Sequence, residues 1–193
     1  LDEKAAMLFD KRLREAEIDD LLDQFRHMTT IGVEKLNKIA DINIQQHAEI
    51  KIRHENALII VNKAAKQLQD LNEKFKAIDQ RLQQETAHLA DFTNGTPEYA
   101  NQRTVIDSVQ GQYDEIKSER DKMQAGYNSK EKFAAILQTN MTALKISAGN
   151  LRSLAVKLRS DNEEREYTYK NTVQLIKAAR VQETSSLIDT IGN

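Results

Sequence analysis

The sequence contains no cysteine and no tryptophan, only one proline and six glycines, and aromatic residues make up just 5% of its 193 residues. The absence of cysteine excludes a disulfide framework, thiolate zinc sites and a cysteine nucleophile. A compact globular domain uses more turn residues, and more aromatic side chains to fill a thick core. The composition therefore predicts a few long helices whose buried layer is only one or two side chains deep.

Long apolar runs and blocks of one charge are also missing. The densest apolar segment, residues 57–61, is far shorter than a membrane-spanning helix requires. The net charge is −2 and the charges are mixed, which argues against a nucleic-acid footprint or a polybasic arm for anionic lipid. The chain begins with Leu rather than Met, from which we expect a trimmed or processed N-terminus. None of these features indicates a cellular compartment.

What the chain does contain is a heptad repeat, in which apolar residues recur at alternating steps of four and three. The first segment has thirteen such positions, eleven of them apolar, and the second has twenty, fifteen of them apolar or tyrosine. We call these positions the heptad stripe of each helix. They are Ile50, His54, Ala57, Val61, Ala64, Leu68, Leu71, Phe75, Ile78, Leu82, Glu85, Leu89 and Phe92, and then every third or fourth residue from Ile106 to Thr172. Two such stripes predict a long antiparallel helical hairpin, a coiled coil.

The strongest turn signal lies at residues 93–97, between the two segments. Asn94 and Gly95 tolerate positive φ, Thr96 is suited to cap a helix, and Pro97 suits the first helical position. We predict one elongated all-α domain, with an N-terminal helix over 2–28, helix A over 33–92, the turn over 93–97 and helix B over 97–190. With this turn, residue i of an antiparallel hairpin lies opposite residue 190 − i.

Two places are open to interruption. Residues 29–32 end in Gly32, which either ends a helix or is a weak point within a continuous one. The N-terminal helix therefore either extends the hairpin, with 18–28 beside 162–172, or folds back on 39–60 as a three-helix bundle. Residues 126–129 resemble a helix stop and restart, but the repeat keeps its phase across them, which favours a continuous or kinked helix. The phase slips near Val173, where we expect a stutter or fraying.

Apolar residues outside the heptad stripe indicate candidate interaction surfaces. A two-stranded coiled coil does not need them, so we expect a third helix or another chain to contact them. On helix B two tyrosines straddle the stripe, so one of them should be exposed and available for docking. The candidates are Ile39, Ile42, Ile44, Ile52, Leu58, Ile59 and Ile60 on helix A, and Tyr167, Tyr169, Val173 and Ile176 on helix B.

Polar residues at or near the stripe are candidates for setting the register or sensing pH. His47 and His54 are seven residues apart, about 10 Å along a helix, which is too far for a shared zinc ion. We therefore predict no metal site there and consider instead that protonation of these residues makes stability pH-sensitive. The 190 − i relation predicts two cross-helix ion pairs, Arg120 with Asp70 and Glu85 with Arg103. The alternative is that these side chains extend to solvent at the edge of the stripe.

No catalytic signature is present in the sequence. It lacks a glycine-rich phosphate loop, a nucleophile elbow, a helical His-Glu-x-x-His and a paired-carboxylate cleft. We therefore expect no enzyme activity, no cofactor and no small-molecule substrate.

The leading hypothesis is a structural or protein–protein interaction module, a scaffold or spacer that binds protein partners or forms a homo-oligomer. The alternative is a membrane-facing helical protein, such as an exported effector, a pore-forming or secretion component or a curvature-binding dimer, although the charge pattern does not support membrane contact. A third hypothesis, a pH-sensing helical bundle, depends only on His47 and His54.

Overall fold

The protein is an all-α helical hairpin, as predicted. The computed structural model describes residues 2–192, apart from the side chains at positions 2, 6, 8, 9, 11 and 13. Helix α1 spans Asp2–His88 and continues into one turn of 3₁₀ helix at Leu89–Asp91. Helix α2 spans Pro97–Gly192, and the described residues include no strand. The two helices pack against each other.

The turn between the helices forms for the reasons that its residues suggest. Gly95 has φ +90°, a conformation that favours glycine. The Thr96 hydroxyl donates to the Thr93 carbonyl over 2.7 Å and accepts the backbone N–H of Tyr99 over 3.2 Å. Thr96 is therefore the N-cap of α2, and Pro97 occupies the first helical position, where its missing N–H is not needed.

Packing divides the chain into two units, each containing a segment of α1 and an antiparallel segment of α2. Unit 1 consists of Leu1–Gln46 and Leu144–Asn193, and unit 2 consists of His47–Ala143. In unit 1 the Asn43 side-chain amide donates to the Ser147 hydroxyl over 3.0 Å. In unit 2 the rings of Phe75 and Tyr113 lie 5.0 Å apart. The two residue numbers of each pair add to within two of 190, which confirms the predicted register. The prediction of a single domain stays a prediction.

Helix α1 passes through residues 29–32 without a break, so the N-terminal helix is part of α1. Within unit 1, Arg26 forms an ion pair with Glu166, and Glu15 forms a largely buried one with Arg180. The N-terminal segment therefore pairs with α2, and the fold-back on 39–60 is wrong. Gly32 has a packing role instead of ending the helix, because a Cβ at this position would lie 3.0 Å from Leu158 Cδ2.

The heptad stripe forms the interface between the helices. All thirteen predicted positions from Ile50 to Phe92 are buried or half-buried. Helix α2 is continuous across residues 126–129, but its stripe shifts earlier than predicted: Arg165 is exposed and the neighbouring Glu166 is half-buried. At this shift Glu166, rather than Arg165, lies against α1, where it forms an ion pair with Arg26.

Alanine occupies much of this interface. In unit 2, Ala57 and Ala134 form a buried cluster with Leu137, and Ile50 and Val61 pack against it. In unit 1, the fully buried Ala40 and the buried Ala148 and Ala155 occupy stripe positions. Small side chains leave little lateral volume between two helices, so larger apolar residues at neighbouring positions have nothing within the pair to pack against.

Glu166 is expected to make stability sensitive to acid. The hydrogen bond from the Arg26 guanidinium is the largest influence on this carboxylate and lowers its pKa below the ordinary value of 4.5, while partial burial acts in the opposite sense. Because the pKa is lower in the folded chain than in the unfolded one, the stabilisation is present above the unfolded value and is lost as the pH falls through the folded one. In wild type the thermal midpoint should fall between about pH 5 and pH 3, and we expect this fall to be smaller in Glu166→Gln. Thermal unfolding followed by circular dichroism at several pH values measures it.

Glu163→Gln is the control for this experiment, since Glu163 is exposed and forms no ion pair with a described residue. Identical pH profiles for the two variants would contradict the assigned role of Glu166.

Candidate interaction surfaces

The molecule exposes far more surface than a compact protein of its mass. The accessible area is 14592 Å² for 22.0 kDa, against about 9,300 Å² expected for a compact monomer. Part of this surface consists of large apolar side chains outside the helix interface. Contiguous exposed apolar residues are characteristic of interaction sites.

The α1 segment of unit 2 carries the densest group of exposed apolar residues. Ile59 is 66% exposed, and Ile52, Leu58 and Ile60 are between 42% and 61% exposed. The interface positions beside them are held by Ala57 and Val61, which turn these four residues away from α2. The sequence-based prediction of apolar residues off the stripe therefore corresponds to exposed side chains, and their role in binding stays a prediction.

The α1 segment of unit 1 carries the other three predicted isoleucines. Ile39, Ile42 and Ile44 are each slightly less than half exposed. They lie on either side of Ala40 and Asn43, which occupy the interface. More than two fifths of each of these side chains is therefore open to solvent.

Helix α2 carries exposed apolar residues that sequence reasoning missed. In unit 2, Phe133 and Ile136 are both more than half exposed and lie beside the buried Ala134 and Leu137. In unit 1, Ile146, Leu154 and Val156 are also exposed. These residues carry the same signal as the α1 residues, namely apolar side chains off the stripe.

The predicted tyrosine surface is only partly present. Tyr167 is exposed, and Tyr169 lines a shallow groove with Phe25. Val173 and Ile176 are half-buried, on the stripe as it runs after its shift near residue 166. Their role in docking stays a prediction.

The groove at Tyr169 is in unit 1 and has a volume of about 490 Å³. Its other lining residues are Asp161, Glu164, Arg165 and Thr168. The Arg165 guanidinium carbon lies 5.8 Å from the Phe25 ring centroid, within the range of a cation–π contact. The Arg165 cation is therefore already engaged by an aromatic ring of the same unit.

His47 and His54 are half-buried at the stripe of α1. Across the described residues, no group of His, Asp or Glu is arranged to hold a metal ion. The pH-sensing hypothesis for these two residues stays a prediction.

The predicted cross-helix ion pairs do not form. Arg120 pairs with its neighbour Asp121 over 3.2 Å and lies 4.0 Å above the ring of Phe75, while Asp70 is exposed. Glu85 does reach across to α2, but its partner is the side-chain amide of Gln102, over 2.9 Å. Arg103, one residue further along, is exposed. Arg120 thus pairs with the residue next to it in the chain, and Glu85 pairs with the residue next to its predicted partner.

Within the described part of the chain, no helix is long and apolar enough to cross a membrane. Comparisons with protein-family models, with curated proteins and with solved structures found no match to this chain. The class that the fold defines is thus an all-α helical hairpin. Its distinguishing surface is the group of exposed apolar residues in unit 2.

Proposed function

We propose that the chain is a non-enzymatic protein–protein interaction module, a coiled-coil scaffold or spacer that binds a partner through the exposed apolar residues of unit 2. The observation that supports this function best is the concentration of exposed Ile52, Ile59, Ile60, Phe133 and Ile136 around an interface that is already filled by alanine. Burying side chains of this size contributes about 1.5–3 kcal/mol each when they pass from full exposure to full burial. Because these side chains are about half exposed, each contributes only part of that figure, so a partner must cover most of the group to offset the cost of association.

Membrane contact is a second candidate function. Lys51, Arg53, Lys63 and Lys66 lie among these apolar residues and are all exposed. Basic side chains beside apolar ones are typical of surfaces that bind anionic lipid.

Photo-crosslinking tests the proposed function. The photoreactive residue p-benzoylphenylalanine replaces Phe133 in one variant and Gln138 in the other, since Gln138 is also exposed but borders the interface on the opposite side of the same helix. In the cells that produce the protein, we expect position 133 to yield a discrete protein adduct at least about tenfold more efficiently than position 138, because only the apolar surface is covered by a partner. Equal yields at the two positions would exclude this surface as the binding site.

A further inference from the structure

Two patches of opposite charge occupy the two units, although the net charge of the chain is only −2. In unit 2, the segments 51–66 and 122–139 contain seven basic and two acidic residues, a net charge of +5. All seven basic residues are exposed, and none forms an ion pair with a described residue. In unit 1, the segments 15–26 and 161–175 contain nine acidic and three basic residues, a net charge of −6.

The heptad positions place part of the unit 2 charge on one side of the helix pair. In each heptad, the stripe residue that is followed by the next stripe residue after three positions is called a, and Val61 and Ala134 are both a positions. In an antiparallel pair, the residue just before an a position and the residue two after it flank the interface, on the same side in both helices. Exposed residues on that side include Arg53, Ile60 and Lys63 on α1 and Lys122, Phe133 and Ile136 on α2, and we call these six the basic surface.

Unit 1 presents an acidic counterpart at the equivalent heptad positions. Leu21 and Met28 are exposed there on α1, together with Glu17, while Asp161 and Glu164 lie on α2. We call these five residues the acidic surface. Two cations near this surface are engaged internally, because Arg14 pairs with Asp10 and Arg165 lies over Phe25. Lys157, four residues before Asp161 on the same helix, is exposed. None of the three carboxylates forms an ion pair with a described residue.

We infer that the acidic surface of one copy of this chain docks on the basic surface of a second copy. Three free carboxylates face three free cations, and each set surrounds exposed apolar side chains, so the contact combines charge complementarity with apolar burial. Each surface meeting its own kind would place like charges together, which disfavours a contact between identical surfaces. The same pairing can be made twice in a two-fold symmetric pair, or repeated along a ring or open chain of subunits. The inference rests on the proposed function, for which it names the partner.

Sedimentation and light scattering of the purified full chain test the inference. We expect concentration-dependent self-association near 50 mM salt that is weaker by about tenfold or more near 500 mM salt, because the charges involved are exposed and screened. A chain that stays monomeric at low salt, or associates equally at both salt concentrations, overturns the inference.

Charge reversal identifies the surfaces. We expect the triple change Arg53→Glu, Lys63→Glu and Lys122→Glu to weaken association by about tenfold or more, and the triple change Glu17→Lys, Asp161→Lys and Glu164→Lys to do the same. All six changes in one chain should restore association to within about threefold, since the complementarity is rebuilt with its signs exchanged. The matched control is Lys51→Glu, Lys66→Glu and Lys132→Glu, exposed residues of the same unit that are off this side. This control has the same net charge as the first variant and should change association by less than about twofold.

Two outcomes of these variants overturn the inference. Failure of the sixfold variant to restore association shows that the two surfaces do not meet each other. An equal loss in the control shows that net charge, rather than the basic surface, governs association.

Vesicles and crosslinking separate the other occupants. If the chain is monomeric but floats with phosphatidylserine vesicles, and reversal of the basic surface abolishes flotation, the occupant is an anionic membrane and the inference is wrong. In the purified chain, a photoreactive residue at position 133 should crosslink to residues 17–28 or 161–164 of a second copy. A monomeric chain whose position 133 still crosslinks selectively to another protein in cells refutes only the inference. The absence of any selective crosslink refutes the proposed function as well.

Discussion

Replacing Val109 with aspartate is expected to lower the free energy of unfolding by about 3–5 kcal/mol. Val109 is only 1% exposed and is the most completely buried large side chain among the described residues. It lies at the interface of unit 2, where a carboxylate would lose its hydration. Arg81, which the register places opposite position 109, is exposed, so it offers the new charge no buried cationic partner. Urea unfolding followed by circular dichroism at 222 nm measures the change.

Val105→Asp is the matched control for this substitution. Val105 is one helical turn away on α2 and is 36% exposed, so a carboxylate there stays hydrated. We expect this variant to lose less than about 1 kcal/mol. A similar loss at both positions would show that helix propensity, rather than burial at the interface, accounts for the effect.

Truncating Leu137 to alanine is expected to cost about 2–3 kcal/mol, while the same change at the adjacent Ile136 should cost less than about 0.5 kcal/mol. Leu137 is 7% exposed and packs in the buried cluster with Ala57 and Ala134, whereas Ile136 is 57% exposed. The truncation leaves a cavity, and the side chains of Ala57 and Ala134 are too short to move into it. Unfolding by urea, with both variants measured in parallel, gives the two values.

Equal costs at positions 136 and 137 would contradict the assignment of Leu137 to the interface and of Ile136 to the surface. The pair is informative because the two residues are neighbours on one helix and lose side chains of equal size. The helix propensities of leucine and isoleucine differ by only a few tenths of a kcal/mol, so a difference of about 2 kcal/mol between the two variants reports packing.

The pattern of the sequence was sufficient to predict the helices, the turn and the register. A repeat of four and three residues can be satisfied only by helices that face each other along one stripe, and Gly95, Thr96 and Pro97 each suit one particular turn position. The position of that turn then determines which residues of the two helices lie opposite each other. This is why the 190 − i relation holds for Asn43 with Ser147 and for Phe75 with Tyr113.

Side-chain partners were not predictable in the same way. Arg120 contacts Asp121 and the ring of Phe75, and Glu85 accepts a hydrogen bond from Gln102. Long side chains reach several residues, and local geometry determines which of them they contact. The continuity of α1 through Gly32 was likewise left open by the sequence, since glycine permits both a helix end and a close approach. Contact with Leu158 shows that it serves the close approach.

The sequence by itself determined which residues form helices, where the chain reverses and which stripe each helix buries, because periodicity and turn chemistry are local properties of the chain. Only the tertiary structure decided which apolar and charged residues are left at the surface. That outcome depends on the neighbouring helix. Ala57 and Ala134 fill the interface of unit 2, and Ile60 and Phe133 beside them remain exposed. The basic and acidic surfaces likewise consist of side chains that find no partner within their own helix pair.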